Sequence, residues 1–252
     1  MLSVVIPAYN EALGIRATVL ALRAGLDRLG LEHEILVIDN ASTDATIAEV
    51  EAVADEHVRV LRNPRNLGKG GSMRRGMLEA RGELRLHCDA DCAGSLPALP
   101  RMLELIEGGA DLVVGSRLAP GADLGRRQSL PRRVMGRSFV TLCRILLRER
   151  TTDLFCGFKL WRAEAAEPSY RLSKLDGWTF DAETVAMARA LGFRIAELGI
   201  PWQDREGSRL SMARVLVPVT RELLAARRTV REAAASEAAA EGPVAKASTL
   251  RA

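Results

Sequence analysis

Short apolar runs alternate with helical patterns over the first 117 residues of the chain. The strand-like runs are residues 2–8, 34–39, 58–63, 84–89 and 110–116. The segments between them carry apolar residues at helical spacing and are residues 11–30, 42–56, 70–82 and 96–109. Apolar strands joined by helical crossovers form parallel sheets that are covered on both faces. The pattern therefore predicts an α/β fold with a mostly parallel central sheet flanked by helices. In the second helix we expect Ser42 or Thr43 as the N-cap.

The pattern changes after Arg117. A polar loop is followed by a basic amphipathic pattern in residues 126–150, a helix near residues 181–191, a strand-like run at residues 193–202 and a further helical region. From residue 233 the chain is rich in small and polar residues, which predicts a frayed helix end and a disordered tail. We therefore predict one domain over residues 1–232 and a tail over residues 233–252.

With 252 residues, of which 48% are hydrophobic, the chain can bury a sizeable core. No apolar run is long enough for a transmembrane helix, and the start of the chain lacks the basic leader and cleavage site of a signal peptide. We therefore expect a cytoplasmic protein. Its four cysteines show no zinc-binding spacing and are expected to be reduced, structural thiols; they are Cys88, Cys92, Cys143 and Cys156.

The net charge of +4 first suggests a nucleic-acid partner. Only four of the 36 basic residues are lysines, so the arginine content reflects codon usage more than function. Aromatic residues make up 4% of the chain, and no nucleic-acid-binding motif accompanies the charge. We therefore expect no nucleic-acid binding. The three histidines, His33, His57 and His87, have no metal-binding spacing, and we assign none of them to a site.

Two carboxylates, Asp89 and Asp91, stand side by side where the fourth predicted strand ends. Residues i and i+2 of an extended segment point to the same side, so both carboxylates can reach one point. Ligands of an open parallel sheet bind beyond the carboxyl ends of its strands, and a divalent cation would remove the repulsion between the two charges. The pair indicates a Mg²⁺ or Mn²⁺ site, although a solvated turn before the next helix has the same short pattern.

Three further strand ends carry polar or glycine-rich loops. Tyr9 and Glu11 follow the first strand, and Asp39 ends the second. The third strand leads to residues 66–71, where several glycines and Lys69 suit a phosphate at a helix N-terminus. This loop is neither a Walker A motif nor a GxGxxG motif. Four such loops at one edge of a sheet predict a nucleotide site.

Several motifs resemble, in order, those of family 2 glycosyltransferases. They are VVIPAYNE (4–11), VIDNASTDAT (37–46), NLGKGGSMRRGMLEARGE (66–83), DAD (89–91), VVGSR (113–117), DLFCGFKLWR (153–162), GWTFDAE (177–183) and IPWQDREGSRLS (200–211). The resemblance covers residues 2–215. It is nearest to the polyprenyl-phosphate sugar synthases, and among these to dolichyl-phosphate glucosyltransferase.

The resemblance implies the GT-A fold, with a donor half in residues 1–117 and an acceptor half in residues 118–232. It also implies a nucleotide-diphosphate sugar as the donor. The residues that would surround this donor are Pro7, Tyr9, Glu11, Asp39, Asn40, Lys69 and Asp89. Asp89 and Asp91 would hold the metal. The family more often has a second aspartate where this chain has Asn40.

On the acceptor side, the resemblance implies that Arg117 contacts a phosphate of the donor or of the acceptor. Asp181 stands where members with a hydroxyl acceptor place their catalytic base, although an N-cap of the following helix is the alternative. The expected catalytic set is Asp91, Arg117 and Asp181. Trp178 and Arg209 are expected on the acceptor side. We expect Lys159 to orient nearby backbone or a carboxylate.

The implied reaction is metal-dependent, inverting transfer of a hexose from a nucleotide-diphosphate sugar to polyprenyl phosphate, with UDP and glucose favoured. The same catalyst acting on a soluble small molecule, such as a natural-product or nucleoside intermediate, stays an alternative. A nucleotidyltransferase and a non-catalytic binding domain are further alternatives. A nucleotidyltransferase would need a glycine- and lysine-rich signature at the first strand end, where this chain has PAYNE.

Residues 126–150 contain eight arginines and one acidic residue, Glu149. Interleaved apolar residues make this segment a predicted cationic amphipathic helix. Such a helix can contact the inner face of an anionic membrane peripherally, or it can pack its apolar face on the sheet with the arginines in solvent. The sequence leaves both arrangements open.

Overall fold

A seven-stranded β-sheet forms the centre of the structure, a computed structural model that describes residues 1–124, 130–202 and 212–240. Its strands are β1 (Leu2–Ala8), β2 (His33–Asp39), β3 (Val58–Arg62), β4 (Leu84–Cys88), β5 (Leu112–Ser116), β7 (Phe158–Arg162) and β8 (Ile195–Gly199). The order across the sheet is β3-β2-β1-β4-β7-β5-β8. Only β7 runs antiparallel to its neighbours. The predicted mostly parallel α/β sheet is confirmed. Two short strands, β6 (Asp123–Leu124) and β9 (Pro201–Trp202), pair separately.

Helices cover both faces of the sheet. They are α1 (Ile15–Arg28), α2 (Thr46–Glu51), α3 (Gly68–Glu79), α4 (Leu99–Glu107), α5 (Leu130–Leu147), α6 (Ala163–Leu172), α7 (Phe180–Ala190) and α8 (Met212–Ala240), with a 3-10 helix at Ala93–Ala98. Strand residues alternate between two cores: Val4 and Ile6 of β1 pack on the side of α1 and α4, whereas Val5 packs with α3 and α7. This alternation follows from the two-residue period of a strand.

The sheet joins the two halves of the chain, because β7 lies between β4 and β5. Cys88 of β4 pairs with Phe158 of β7, and Val114 of β5 pairs with Lys159, which is also in β7. A strand from the second half therefore separates two strands of the first. The sequence did not predict this strand.

Two predicted boundaries differ from the structure. Helix α2 begins at Thr46, and Asp44 accepts the Thr46 backbone N–H at 2.9 Å, so the prediction of Ser42 or Thr43 as its N-cap is wrong. Ser42 Oγ instead accepts the backbone N–H of Asn10. Helix α8 continues to Ala240, past the predicted start of the tail at residue 233. Its last turns are rich in alanine, the residue with the highest helix propensity. Residues 241–252 lie outside the described residues.

The C-terminal part of α5 packs its apolar face against the protein. Cys143 and Leu147 are buried in the core on the α3 side, and Phe139 stacks on Phe155 with ring centroids 5.3 Å apart. Ile145 is exposed. Phe139, Cys143 and Leu147 therefore pack the apolar face of α5 on the protein. Membrane contact through residues 126–150 stays a prediction. Within the described ranges, no helix has the length and apolar character needed to cross a bilayer.

We expect the buried carboxylate of Glu34 in β2 to make stability depend on pH. It accepts hydrogen bonds from Ser3 Oγ (2.7 Å), the Arg81 backbone N–H (2.8 Å) and Arg59 Nε (3.0 Å). Burial works to raise the pKa of Glu34, but the bonds from Ser3 and Arg81 and the charge of Arg59 lower it overall. A lowered folded-state pKa stabilises the fold above the unfolded pKa, and this contribution is lost as the pH falls through the folded pKa.

Glu34→Gln should therefore reduce the free energy of unfolding by about 2 kcal/mol at pH 7. The difference from wild type should shrink as the pH falls below 4.5, the ordinary pKa of a glutamate. Urea denaturation across this pH range measures both quantities. Glu32→Gln, at a side chain that is 80% exposed, is the matched control and should change stability little. An equal loss for Glu34→Gln at all pH values would contradict the expectation.

Candidate active site

The loops after β1 and β2 are joined by hydrogen bonds into one wall. Asn10 Oδ1 accepts the Thr43 backbone N–H at 2.8 Å, and Asp44 Oδ2 accepts the Ala12 backbone N–H at 3.2 Å. Asn10 has a φ of 55°, in the left-handed region that asparagine tolerates better than most residues. Beside it, the Tyr9 side chain is 47% exposed. The wall thus presents an aromatic ring to solvent at the carboxyl edge of the sheet.

The structure brings the predicted donor residues of these two strands to the same edge. Ala8 of β1 and Asp39 of β2 are paired at the ends of their strands, and Pro7 precedes Ala8. Asp39 is buried, and its carboxylate faces the Ser42 backbone N–H at 3.3 Å. Glu11 donates its backbone N–H to Thr46 Oγ1 at 2.8 Å. The predicted edge is therefore formed as expected.

The side chain of Asn40 is buried and bonded within the protein. Its Nδ2 donates to Asn66 Oδ1 at 2.9 Å. Its Oδ1 accepts from Asn63 Nδ2 at 3.1 Å and from the Leu67 backbone N–H at 2.8 Å. Asn40 thus holds the loop after β2 against the loop after β3. An aspartate at this position would have no N–H to donate to Asn66.

Asp89 and Asp91 converge as expected, but they do so in a turn after β4 and not in an extended segment: the Cys92 backbone N–H donates to the Asp89 carbonyl at 2.9 Å. One carboxylate oxygen of each lies within 4.8 Å of the other and of the Cys92 thiol. Gly157 leaves room for Asp89, because a Cβ on this glycine would lie 2.0 Å from Asp89 Oδ2. Carboxylate oxygens are the ligands that Mg²⁺ and Mn²⁺ prefer. The two side chains therefore fit a divalent cation.

The buried thiol of Cys92 is a weaker candidate for a metal ligand. Burial and the nearby carboxylates raise the pKa of Cys92 well above its usual value, so the thiolate that binds metals is suppressed near neutral pH. All four cysteines are free and buried, as expected from the sequence.

The two carboxylates of this pair have different surroundings. Asp89 Oδ2 accepts a hydrogen bond from Lys69 Nζ at 2.7 Å, and Asp89 Oδ1 accepts one from His87 Nε2 at 3.1 Å. Burial works to raise the pKa of Asp89, but the charge of Lys69 and the bond from His87 hold it well below its usual range. Asp91 is exposed and contacts the Cys92 thiol at 3.6 Å. Asp91 is therefore the more accessible carboxylate, whereas the charge of Asp89 is already balanced.

Asp181 lies deeper, in the first turn of α7, and its side chain is 3% exposed. Its Oδ1 accepts a hydrogen bond from Lys159, which is fully buried, and its Oδ2 lies 3.8 Å from Lys69 Nζ. Thr179 is the N-cap of α7, so the alternative that Asp181 caps this helix is wrong. The structure instead places Asp181 between two lysines. Lys159 also donates to the Cys156 carbonyl at 2.7 Å, which confirms its expected orienting role.

His87 is the residue of this site that the sequence analysis missed. Its Nδ1 lies 3.6 Å from Asp181 Oδ1, while its Nε2 donates to Asp89, so the ring lies between the two carboxylates. Burial lowers the pKa of His87. The lack of metal-binding spacing hid this residue. Its position two residues before Asp89 in a strand was the available signal, because such residues point to the same side.

Arg117 lies directly after β5, and Asp153 fixes its guanidinium group. Arg117 Nε and Nη2 donate to the two oxygens of Asp153 at 2.7 and 2.8 Å, and the Arg117 backbone N–H donates at 2.9 Å. The guanidinium carbon lies 5.1 Å from the ring centroid of Trp202. The sequence analysis did not assign Asp153 to the site. Arg209 falls outside the described residues.

Trp178 is 59% exposed beside the charged cluster, with Lys69 Nζ 5.6 Å from its ring centroid. Glu183 holds the loop that carries this tryptophan: its Oε2 accepts the backbone N–H groups of Lys174 (3.0 Å) and Leu175 (2.8 Å). The exposed ring thus lies beside the charged cluster, and its place on the acceptor side stays a prediction.

Comparison with known proteins shows to which family the chain belongs. Residues 3–168 match the family model described as glycosyl transferase family 2. The chain is 31% identical over 229 residues to glycosyltransferase AglD of Haloferax volcanii, covering 88% of this chain and 36% of that protein. It is 30% identical over 224 residues to a dolichyl-phosphate beta-glucosyltransferase of Dictyostelium discoideum, covering 83% of this chain and 68% of that protein. The chain thus spans about a third of one relative and about two thirds of the other.

The fold is similar to that of glucosyl-3-phosphoglycerate synthase from Mycobacterium tuberculosis, which was solved with Mn²⁺, UDP-glucose and glycerol 3-phosphate. The TM-score is 0.67 at 20% identity, over 90% of this chain and 79% of the other. The family match covers the strands and loops that carry Asp89, Asp91 and Arg117. The chain therefore belongs to glycosyl transferase family 2, and it is a glycosyltransferase with the GT-A fold.

Proposed function

We propose that this chain is a metal-dependent, inverting glucosyltransferase that moves glucose from UDP-glucose to polyprenyl phosphate. The observation that carries the proposal is the convergence of Asp89, Asp91 and Lys69 at the end of β4. Glucose and a polyprenyl phosphate are proposed because relatives about 30% identical to the chain are dolichyl-phosphate beta-glucosyltransferases. UDP is proposed because the solved structure of similar fold holds UDP-glucose.

In this proposal the base and ribose of the donor lie over the ends of β1 and β2. Tyr9 offers an exposed ring there, and Asp39 a carboxylate at the strand end. Lys69, in the first turn of α3, reaches Asp89 after β4, where the diphosphate would meet the acidic pair. The donor would thus extend along the edge from β2 to β4, over strands that are neighbours in the sheet.

Asp91 would hold the divalent cation, with Asp89 as the second carboxylate. The cation, when bound, would offset the negative charge that develops on the leaving diphosphate. Lys69 contributes a second positive charge at the same place, because its ammonium group lies between Asp89 and Asp181. Either Mg²⁺ or Mn²⁺ suits two carboxylate ligands completed by phosphate oxygens.

The surroundings of Asp181 favour a phosphate over a hydroxyl as the attacking group. A hydroxyl acceptor needs a base within hydrogen-bond reach, but each oxygen of Asp181 faces a lysine and its side chain is buried. A phosphate monoester is already anionic at neutral pH and attacks without losing a proton. Attack on the face opposite the diphosphate inverts the anomeric centre. We infer that Asp181 holds Lys159 and Lys69 in place, and that Arg117 receives the acceptor phosphate.

A polyprenyl phosphate lies in a membrane, so the proposed enzyme must meet one. We propose a peripheral encounter at the cytoplasmic face, through the basic segment at residues 126–150. In the described part of this segment, the exposed side chains include Ile145, Arg148 and Arg150 at the C-terminal end of α5. A soluble phosphate-bearing acceptor would use the same catalytic residues, and transfer assays with both acceptor types distinguish the two.

Asp91→Asn should abolish donor binding that depends on metal. Wild type should show a higher melting temperature with UDP-glucose and Mn²⁺ together, because a ligand that binds only the folded state stabilises it. Asp91→Asn should lose this shift and melt as wild type does without ligand. Asp27→Asn, at an aspartate that is 60% exposed on α1, is the control and should keep the shift. A full shift for Asp91→Asn would show that this carboxylate does not hold the metal.

Asp181→Asn tests whether Asp181 acts as a base. The asparagine can still accept the hydrogen bond from Lys159, so we expect kcat with a polyprenyl phosphate to fall about tenfold or less. Loss of a true general base costs about 100- to 10,000-fold. The variant should melt at a lower temperature, because the buried charge of Lys159 loses its nearest counterion. Rates are therefore measured below its melting temperature, and a fall above about 100-fold there would make Asp181 a base.

A further inference from the structure

The guanidinium group of Arg117 is held in one orientation. Three hydrogen bonds join Arg117 to Asp153, one of them from its own backbone. Asp153 is 1% exposed, whereas the Arg117 side chain is 28% exposed. Burial alone would raise the pKa of Asp153, but the bonds and charge of Arg117 lower it overall, so the pair stays ionised. Trp202 lies over the guanidinium plane and limits its rotation.

Asp153 is in turn fixed by the edge of the sheet. The backbone N–H groups of Thr152 and Asp153 both donate to the carboxylate of Glu197, at 3.0 and 3.1 Å, and the Thr152 hydroxyl donates to it as well. Glu197 lies in β8 and pairs with Val114 of β5, the strand that ends just before Arg117. Glu197 of β8 thus holds the loop that carries Asp153, and Asp153 holds Arg117, the residue after β5.

The arrangement leaves one side of the guanidinium group for a ligand. Asp153 takes the Nε hydrogen and one hydrogen of Nη2, which is two of the five N–H donors of an arginine. Nη1 makes no hydrogen bond to any residue that the structure describes. A guanidinium fork with paired donors matches the oxygens of a phosphate.

The place of Arg117 in the sheet favours the acceptor as the source of this phosphate. Strand β5 is separated from β4 by β7, and strands lie about 4.8 Å apart. Arg117 thus follows a strand about 10 Å from the one that ends in Asp89, on the side away from β1 and β2. The donor diphosphate belongs at β4, so a phosphate at Arg117 lies beyond the transferred sugar.

We propose that Asp153 is a positioning residue that holds Arg117 ready for the phosphate group of the acceptor. The proposal rests on the proposed function and deepens it, because it assigns acceptor recognition to a buried carboxylate that touches no substrate. Asp153 acts through Arg117, so its loss should weaken acceptor binding and leave the donor site unchanged.

Asp153→Asn tests the proposal, with Glu34→Gln as the matched control. Glu34 is also a buried carboxylate that accepts from an arginine, Arg59 at 3.0 Å, and from the backbone at Arg81, but it lies away from the site. Steady-state rates with farnesyl phosphate and UDP-glucose give the KM of each substrate, and calorimetry gives the affinity for UDP with Mn²⁺. We expect the KM for farnesyl phosphate to rise about tenfold in Asp153→Asn, while the donor KM and the UDP affinity stay within about twofold of wild type. Glu34→Gln, measured below its melting temperature, should leave both KM values unchanged.

Arg117→Gln and the double variant, which carries Asp153→Asn and Arg117→Gln together, complete a double-mutant cycle. If Asp153 acts through Arg117, Asp153→Asn should add little once Arg117 is replaced, and the two effects should be strongly non-additive. Additive effects, or equal acceptor KM values for Asp153→Asn and Glu34→Gln, would overturn the positioning role. A rise in the donor KM instead would assign the phosphate to the donor and overturn the proposal.

The outcome for wild type separates this inference from the proposed function. If wild type binds UDP with Mn²⁺ but neither binds nor glucosylates farnesyl phosphate, the proposed acceptor is wrong and the inference falls with it. If wild type glucosylates farnesyl phosphate and Asp153→Asn does so with the same KM, only the inference is wrong.

Discussion

The structure of the site depends on one buried arrangement of charges: two aspartates, Asp89 and Asp181, and two lysines, Lys69 and Lys159. Removing charges from water is costly unless each charge is paired and hydrogen-bonded. Here every carboxylate oxygen of Asp89 and Asp181 faces a lysine or the ring of His87. The arrangement is neutral in sum, so it can be buried. Removing any one member would leave an uncompensated charge at the end of β4.

These charged residues come from four separate elements, which the cluster joins. Lys69 belongs to the first turn of α3, Asp89 follows β4, Lys159 belongs to β7 and Asp181 to the first turn of α7. The antiparallel strand β7 is decisive, because its pairing places Lys159 directly beside His87 of β4. The inserted strand therefore connects residues 1–117 with the second half of the chain beside Asp89.

Charge is distributed unevenly along the carboxyl edge of the sheet. At β4 the exposed carboxylate of Asp91 can hold a cation, whereas after β5 the partly exposed guanidinium of Arg117 can bind an anion. Neighbouring side chains prepare both places. Lys69 and His87 balance the charge of Asp89, and Asp153 fixes the guanidinium group of Arg117. The same edge can thus hold a metal-bound diphosphate on one side and an anionic acceptor on the other. In the proposed reaction, this separation would keep the donor diphosphate and the acceptor phosphate apart and so limit the repulsion between the two anions.

Much of this protein was determined by local sequence. Apolar runs joined by helical segments specified the parallel strands and the polar edge at their ends, where Asp89 and Asp91 follow β4 directly. These features depend on neighbours in the chain, so the sequence displays them. The ordered motifs also indicated the family, which the comparisons confirmed.

Only the tertiary structure decided the partners of these residues. The register of β7, the position of His87 between two carboxylates, the bonds of Asn40 to the next loop and the hold of Asp153 on Arg117 all join residues that are far apart in the chain or lack a local signature. Such contacts depend on which strands pair and on which charges must be balanced once water is removed. That balance is a property of the folded interior, and no short stretch of sequence contains it.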